Sequence, residues 1–564
     1  MAKTKIAFFG LTGCEGCEFQ LLSLDEQLLD LFQDFEITHW RLMREDQKED
    51  FDIAFVEGAA TTPDHIKILK KIRQTSKTVV ALGACALTGN VFAQLSPEQR
   101  KKLAPQIYNS QYRLKAEFLE PIEKFIKVDL KIPGCPPNLE MFKQFLAKLK
   151  KEITDSKIQD VKPPEYVAKI EGHGRLEIDF DQKMVNFQVE ESERLIEGLL
   201  LGKDYHQAPF INARICGICP IAHNLCSWKA IEAALSTKPS TETKILRELL
   251  LSAQIIKSHL LHLFFLVLPD HAHLNNSLEL SQKYPAEFHL MLNIKRVTEK
   301  ILTSIGGTTS FPTNTCLGGF IKPPTLDQLL PFQHEITEVL DEALDLISLF
   351  AKLEPIALTT PVSFLTSAPI NNHYPLYRSQ LTPQIKEIVL NDSTAKRGLL
   401  PNGDVVKVGA LARMAKYSQF LNPQAKKVLL EHQLNYHNPY LNNLAQAIEI
   451  LHFLEEISKQ IEVLKALDLK KSQGIKDFKV TEEVRGQACL EAPRGILIHQ
   501  VKLSPEGKIT NYNIIPPTQI NLAALEKEAQ QLVKEEKKLS EKEIRKEIEK
   551  LIRAFDPCIT CAVH

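Results

Sequence analysis

The sequence predicts two folding units. The first is an α/β N-terminal domain on a doubly wound parallel sheet, and the second is a mainly α domain with peripheral β-hairpins. Three observations predict this. Short apolar runs alternate with amphipathic stretches up to about residue 150, the pattern of strands joined by crossover helices. A polar stretch with paired prolines, KEITDSKIQDVKPPEY at 151–166, then has the composition of a linker. Beyond it, long helical periodicities dominate. At 564 residues the chain is long enough for more than one core.

KIAFFG (5–10) reads as the first strand, followed by an amphipathic segment from Glu18 to Phe32. EITHW (36–40) and DIAFVEG (52–58) continue the sheet, a helix covers Asp64–Arg73, and TVVALGA (78–84) is the next strand. VDLKIPG (128–134) precedes an amphipathic helix, Leu139–Lys150. Such an order suits a flavodoxin-like sheet. The expected division is 1–155, a linker at 156–166, and a second domain at 167–564. There, VAKIEGHGRLEIDF and KMVNFQV alternate around an Asp-Gln-Lys turn, as a hairpin does. Helical patterns follow at about 192–202, 222–236, 242–268, 286–304, 326–352 and 440–466. GILIHQVKLSPEGKITNYNII (495–515) turns back at Pro-Glu-Gly, and the Glu/Lys-rich stretch 524–553 reads as a solvated amphipathic helix.

Composition excludes several function classes. Lys+Arg 69 against Asp+Glu 70 leaves a net charge of -1, so the long-range field of a nucleic-acid binder is missing and no nucleic-acid partner is expected. The most apolar stretch, HLLHLFFLVLP (259–269), is about half a membrane span and carries two histidines. It reads as a buried helix. MAKTKIAFFG runs straight into a strand with no export signal and no twin arginine, so a cytoplasmic location is expected.

The 11 cysteines carry the chemistry. An odd number in a reducing compartment argues against a disulfide framework. Cys14 and Cys17 follow the first strand in GLTGCEGCE, Cys85 follows TVVALG, and Cys135 follows VDLKIP in GCPP. Loops at the carboxyl ends of parallel strands gather on one edge, so these four thiols converge. An iron–sulfur cluster and structural zinc are both compatible with them, and sheet-edge loops favour the cluster. A second set pairs RICGICPIAH, with Cys216, Cys219 and His223, with DPCITCAVH, which supplies Cys558, Cys561 and His564. Four thiolates suit a soft metal, and spacing alone leaves zinc and a redox metal open. Cys226, Cys316 and Cys489 show no pattern and read as core thiols.

RxCGxCxxxH and DPCxxCxxH resemble the two signatures of the nickel–iron hydrogenase large subunit. The segments GCEGCE, ALGACA and GCPP make the first domain similar to the small subunit of that family. It is closest in look to the cytosolic sulfhydrogenase and pyridine-nucleotide-linked class. The family normally uses two chains; here both modules share one. The resemblance implies a nickel–iron centre with carbon monoxide and cyanide on the iron, NiFe(CO)(CN)2, held by Cys216, Cys219, Cys558 and Cys561. It implies one [4Fe-4S] cluster at Cys14, Cys17, Cys85 and Cys135, and an Mg2+ or Fe2+ held by Glu197 and His564. Dihydrogen would be cleaved reversibly into protons and electrons.

By the same resemblance, Glu171 relays protons from Cys558, and Arg494 stands over the metals, held by Asp270 and Asp556. Pro493 lines that canopy, His223 hydrogen-bonds a bridging thiolate (Cys219 or Cys561), and Thr518 donates to a cyanide. An external iron–sulfur or flavin subunit, or a ferredoxin, would take the electrons, and hydrogenase maturation proteins would install the centre. No GxGxxG occurs, so the chain itself is not expected to bind a dinucleotide. Three features depart from the family pattern. Thr308 and Phe311 stand where an Arg and a His are frequent, and Pro517 stands where a serine is. The family's large subunits are also commonly made with a tail cut off after the histidine matching His564.

Overall fold

The computed structural model describes residues 3–24, 35–139, 141–142, 144–145, 166–370, 372–380, 384–390, 393–476, 478–536 and 538–564. Five parallel strands form the first unit: β1 (Thr4–Gly10), β2 (Phe35–Trp40), β3 (Ile53–Glu57), β4 (Thr78–Leu82) and β5 (Leu130–Ile132), in the order β2-β1-β3-β4-β5. This is the doubly wound order expected, and it reverses between β1 and β3. Side chains alternate faces along each strand. Ile6, Phe8, Phe55 and Val80 fill one face. Ala7, Ala54, Val56 and Val79 fill the other, with Leu69 and Ile72 of the helix α1 (Pro63–Thr75). Thr62 caps α1 by accepting from His65 N–H, and Pro63 opens it. The expected Glu18–Phe32 helix is seen as Gly16–Leu21 followed by a 3-10 turn at Leu22–Leu24, and its residues 25–32 lie outside the described residues. The helix expected at Leu139–Lys150 and the linker lie largely outside them.

A hairpin, β6 (Gly174–Asp179) with β7 (Met184–Val189), opens the second unit, as its alternation predicted. The helix α2 (Pro220–Ala234) packs on β8 (Val484–Ala492) and β9 (Gly495–Leu503), which form an antiparallel sheet with β10 (Ile509–Ile515). Strand β8 was not read from the sequence. Helix α3 (Thr241–Leu261) packs against α4 (Pro285–Gly306) and α5 (Asn442–Leu464). It continues through a π-helical turn, His262–Val267, to His271. Length and composition would let Thr241–His271 cross a membrane, but 94% of its apolar window is buried within the protein.

The 524–553 stretch is not one solvated helix. It is two helices, α6 (Pro517–Glu535) and α7 (Glu541–Ala554), separated at a Ser540/Glu543 capping box. Leu525, Leu532, Ile544, Ile548 and Leu551 recur at helical spacing and are buried together. Of the 192–202 segment, only Ile196–Leu200 is helical. One continuous apolar cluster joins Phe8, Phe19 and Trp40 of the first unit to Ile221 and Leu261 of the second. The two units therefore share a core, which sets the cysteine loops of one against those of the other.

Candidate metal centre

Cys216 ends a short turn before α2, and Cys219 caps that helix. Cys558 caps, and Cys561 lies within, the last turn α8 (Ile559–Ala562). The four sulfurs lie within 4.8 Å of one another. Cys216 and Cys558 are 3.2 Å apart, Cys219 and Cys561 3.1 Å, and Cys558 and Cys561 3.0 Å. All four are buried. Burial opposes ionisation of each. Donation from the other three thiols, with Arg494 nearby, still holds Cys216 well below the usual thiol range, and Cys219, Cys558 and Cys561 stay above it. A tight buried thiol quartet suits a soft transition metal, which takes its ligands as thiolates.

Arg194 anchors both cysteine segments. Its fully buried guanidinium donates to the carbonyls of Arg214 (3.0 Å), Ile215 (2.7 Å), Thr560 (2.7 Å) and Val563 (3.2 Å). Nothing in the sequence singled it out. Glu171, also fully buried, accepts from Thr560 N–H at 3.0 Å and from the Thr560 hydroxyl, and its carbonyl accepts from Ile559 N–H. Burial, then the charges of Cys216 and Glu15, push its carboxyl well above the usual range.

Arg494 donates to the Asp556 carboxylate at 2.7 Å, to the Asp556 carbonyl at 2.8 Å and to the Ser258 hydroxyl at 3.3 Å. Gln446 holds the other Asp556 oxygen at 3.1 Å. The expectation that Asp270 also holds Arg494 is wrong. Asp270 follows the π-helical turn and pairs with Lys169 and Arg553, and those two cations hold it below the usual carboxylate range although burial opposes this. The Pro493 carbonyl accepts from Arg413 at 3.1 Å. His223 reaches Cys561 at 3.4 Å, and Thr518 Oγ1 accepts from Cys558 N–H at 3.0 Å.

Glu197 accepts from Ile514 N–H at 2.8 Å and lies 3.4 Å from His564 Nε2. Lys396, unpredicted, lies 3.9 Å from Glu197 and 3.1 Å from Glu387, so a positive charge already stands beside the expected cation ligands.

Cys14, Cys17, Cys85 and Cys135 lie in the segments that follow β1, β4 and β5, at the carboxyl edge of the parallel sheet. Cys14, Cys17 and Cys85 are buried and Cys135 is half-buried. Asn90 Nδ2 donates to Cys135 at 3.3 Å and Cys85 at 3.6 Å. Burial, then Glu57 and the neighbouring thiols, push Cys14 and Cys17 well up, and burial, then Cys135, pushes Cys85 up to about 12. Gly83 sits at φ +83, and a Cβ there would stand 2.4 Å from Cys17 Sγ. The two sets meet through backbone: Gly217 N–H donates to the Cys14 carbonyl at 2.8 Å, and a Cβ on Gly217 would fall 2.3 Å from Gly16 Cα. Phe311 fills the space beside them, its ring 3.4 Å from the point where a Gly16 Cβ would lie and under the Arg214 guanidinium at 5.5 Å. An apolar ring thus stands at the junction of the two loops, and Thr308 donates to the Phe311 carbonyl at 2.6 Å.

Comparison with known proteins agrees with this geometry. Residues 14–149 match the family described as NADH ubiquinone oxidoreductase, 20 Kd subunit, and residues 194–306 and 401–564 match the nickel-dependent hydrogenases. Sulfhydrogenase 1 subunit alpha of Pyrococcus furiosus is 32% identical over 419 residues, covering 71% of this chain and 97% of that protein. The NAD-reducing hydrogenase HoxS subunit beta of Cupriavidus necator is 26% identical over 462 residues, covering 71% and 93%. Among solved structures, an NAD+-reducing nickel–iron hydrogenase in its H2-reduced state shares the fold with a TM-score of 0.63 at 22% identity, covering 71% and 98%. The chain belongs to the nickel-dependent hydrogenase family, with a small-subunit-like module and a large-subunit module in one polypeptide. It is an oxidoreductase acting on dihydrogen, and the thiol quartet fits the nickel–iron centre of that family.

Proposed function

We propose that the chain cleaves dihydrogen heterolytically and reversibly, and that one [4Fe-4S] cluster at Cys14, Cys17, Cys85 and Cys135 passes the electrons to an external redox partner. The observation that carries this reading is the 2.8 Å bond from Gly217 N–H to the Cys14 carbonyl, which joins the two cysteine loops. Bound at Cys216, Cys219, Cys558 and Cys561, a nickel–iron centre with carbon monoxide and cyanide ligands supplies a soft Lewis-acidic pair that polarises dihydrogen.

Glu171 accepts the proton at its carboxyl group. Its raised pKa brings it nearer the pH at which a general base both takes and returns protons. Arg494, fixed by Asp556 and Ser258, places a permanent positive charge beside the thiolates. Pro493 lines the same canopy, its carbonyl held by Arg413. Thr518 already accepts from Cys558 N–H, so its own O–H is left to donate to a cyanide. His223 donates to Cys561. Glu197 and His564 hold Mg2+ or Fe2+, in competition with the Lys396 ammonium.

The electron partner is an iron–sulfur or flavin subunit, or a ferredoxin, docking where half-buried Cys135 reaches the surface. The relatives include an NAD-reducing hydrogenase, which supports a pyridine-nucleotide-linked partner. The protein works in the cytoplasm after maturation proteins install the centre, and its modules divide as 1–155, 156–166 and 167–564.

The test is an infrared spectrum of protein purified anaerobically from a host with hydrogenase maturation machinery, together with metal analysis. Carbon monoxide and cyanide bands that shift on adding dihydrogen, with about four irons beyond the centre, are the expected result. A silent spectrum with zinc as the only metal overturns the reading.

A further inference from the structure

A hydrogen-bonded chain reaches the thiol quartet at Cys561. His223 Nε2 lies 3.4 Å from Cys561 Sγ, and its Nδ1 lies 3.3 Å from His499 Nε2. His499 Nδ1 lies 2.9 Å from the Tyr512 hydroxyl, which is 2.8 Å from Ser227 Oγ, and Ser227 accepts from Asn212 Nδ2 at 3.2 Å. These residues come from α2, β9, β10 and the end of the short helix Ala208–Asn212, and none is more than 4% exposed. Buried polar groups need partners, and here the partners are one another, apart from Asn212 Oδ1, which has none.

The two ends fix the direction. An amide nitrogen, at Asn212, only donates, and a metal-bound thiolate, at Cys561, only accepts. A neutral imidazole has one N–H and one acceptor. With Cys561 accepting, His223 carries its proton on Nε2 and accepts at Nδ1. His499 must then carry its proton on Nε2 and accept the Tyr512 O–H at Nδ1, and Tyr512 must accept from Ser227. A proton on both nitrogens of His223 would reverse every bond beyond it, leaving Ser227 to donate to an amide nitrogen that cannot accept. Burial holds His499 far below the usual imidazole range, in keeping with a neutral ring.

We propose that His499 and Tyr512 are positioning residues: they fix the Nε2–H tautomer of His223, and five hydrogen bonds in one sense draw electron density from the Cys561 thiolate. This rests on the nickel–iron reading above. Aligned hydrogen bonds polarise one another, and a donor bonded to a metal's ligand tunes the metal through that ligand. A less donated thiolate is a stronger electron donor to iron, which pushes more density into bound carbon monoxide.

The experiment compares infrared spectra of the matured enzyme with its variants, nickel and iron being counted in each. In Tyr512→Phe the carbon monoxide band should move to lower wavenumber, and in His499→Leu further still. His499→Gln, whose amide can still donate to His223, should restore the band toward the wild-type position, and Ser227→Ala should move it less than Tyr512→Phe. Tyr512→Phe is nearly isosteric and carries the test if His499→Leu fails to load metal. Wild-type bands that reappear unmoved in metal-loaded Tyr512→Phe overturn the proposal and leave the nickel–iron reading standing. A wild-type spectrum without carbon monoxide and cyanide bands overturns both.

Discussion

Arg194 and Thr560 lie 366 residues apart in sequence, yet a guanidinium nitrogen of Arg194 is 2.7 Å from the Thr560 carbonyl. The same side chain reaches Ile215 and Val563, so one planar group ties the segment before Cys216 to the segment around Cys561. Lysine keeps the charge but not the fork. Arg194→Lys therefore strands at least one buried carbonyl, at about 1–3 kcal/mol. The expected outcome is a lower unfolding midpoint and faster loss of nickel to a chelator. Wild-type values for both would remove Arg194 from the role of clamp.

Gly217→Ala tests the contact between the two cysteine loops. A methyl group 2.3 Å from Gly16 Cα forces them apart, while Cys219 at the start of α2 and Cys558 and Cys561 at α8 keep their places. Isotope exchange between dihydrogen and water needs no electron exit, so its rate should stay near wild type. Reduction of an artificial dye should slow by about tenfold or more, equivalent to roughly 1.4 kcal/mol on the barrier. Equal losses in both assays would mean that the substitution damages the quartet instead.

Much of this arrangement was legible in the sequence because its signals are local. Apolar runs ending in glycine marked the strands, and the two C-x-x-C pairs at 216/219 and 558/561 marked the thiol quartet. The rest is decided by distant partners. Arg194, Ser258, Lys396, His499 and Tyr512 are isolated polar residues in the sequence, and only tertiary packing buries them against the sites. Asp270 was assigned to Arg494, but the π-helical turn before it directs it to Lys169 and Arg553. The 524–553 charges hid a buried stripe, although the Ser540/Glu543 box that divides the helices is itself a sequence signal.

Glu528 gives the stability a pH signature. It is fully buried, receives Lys407 at 2.7 Å on one oxygen and has no partner on the other. Burial raises its pKa from 4.5 to about 7 although Lys407 opposes this. The folded state therefore keeps a proton that the unfolded chain releases, and stability falls as pH rises from about 4.5 to about 7. The loss is of order 3 kcal/mol for a shift of this size. Glu528→Gln, which cannot ionise, should flatten that part of the profile and be the more stable protein above pH 7. Denaturant titrations of both proteins across this range check it, and parallel profiles would show that Glu528 does not set the slope.

Glu171 separates proton transfer from the integrity of the centre. Glu171→Gln keeps an oxygen for Thr560 N–H and fills the same volume, so metal content and infrared bands should stay at wild-type values. It cannot exchange a proton, and turnover should fall by about 10²–10⁴-fold, the usual contribution of a positioned acid–base group. Glu171→Asp retains the acid one methylene short of Thr560 and should fall between the two. Because burial, Cys216 and Glu15 hold the Glu171 carboxyl above the usual range, the wild-type rate of dihydrogen oxidation should rise with pH above that range as the carboxylate forms. The residual activity of Glu171→Gln should lack that rise. A glutamine variant with the wild-type rate and the wild-type pH profile would place the proton exit elsewhere.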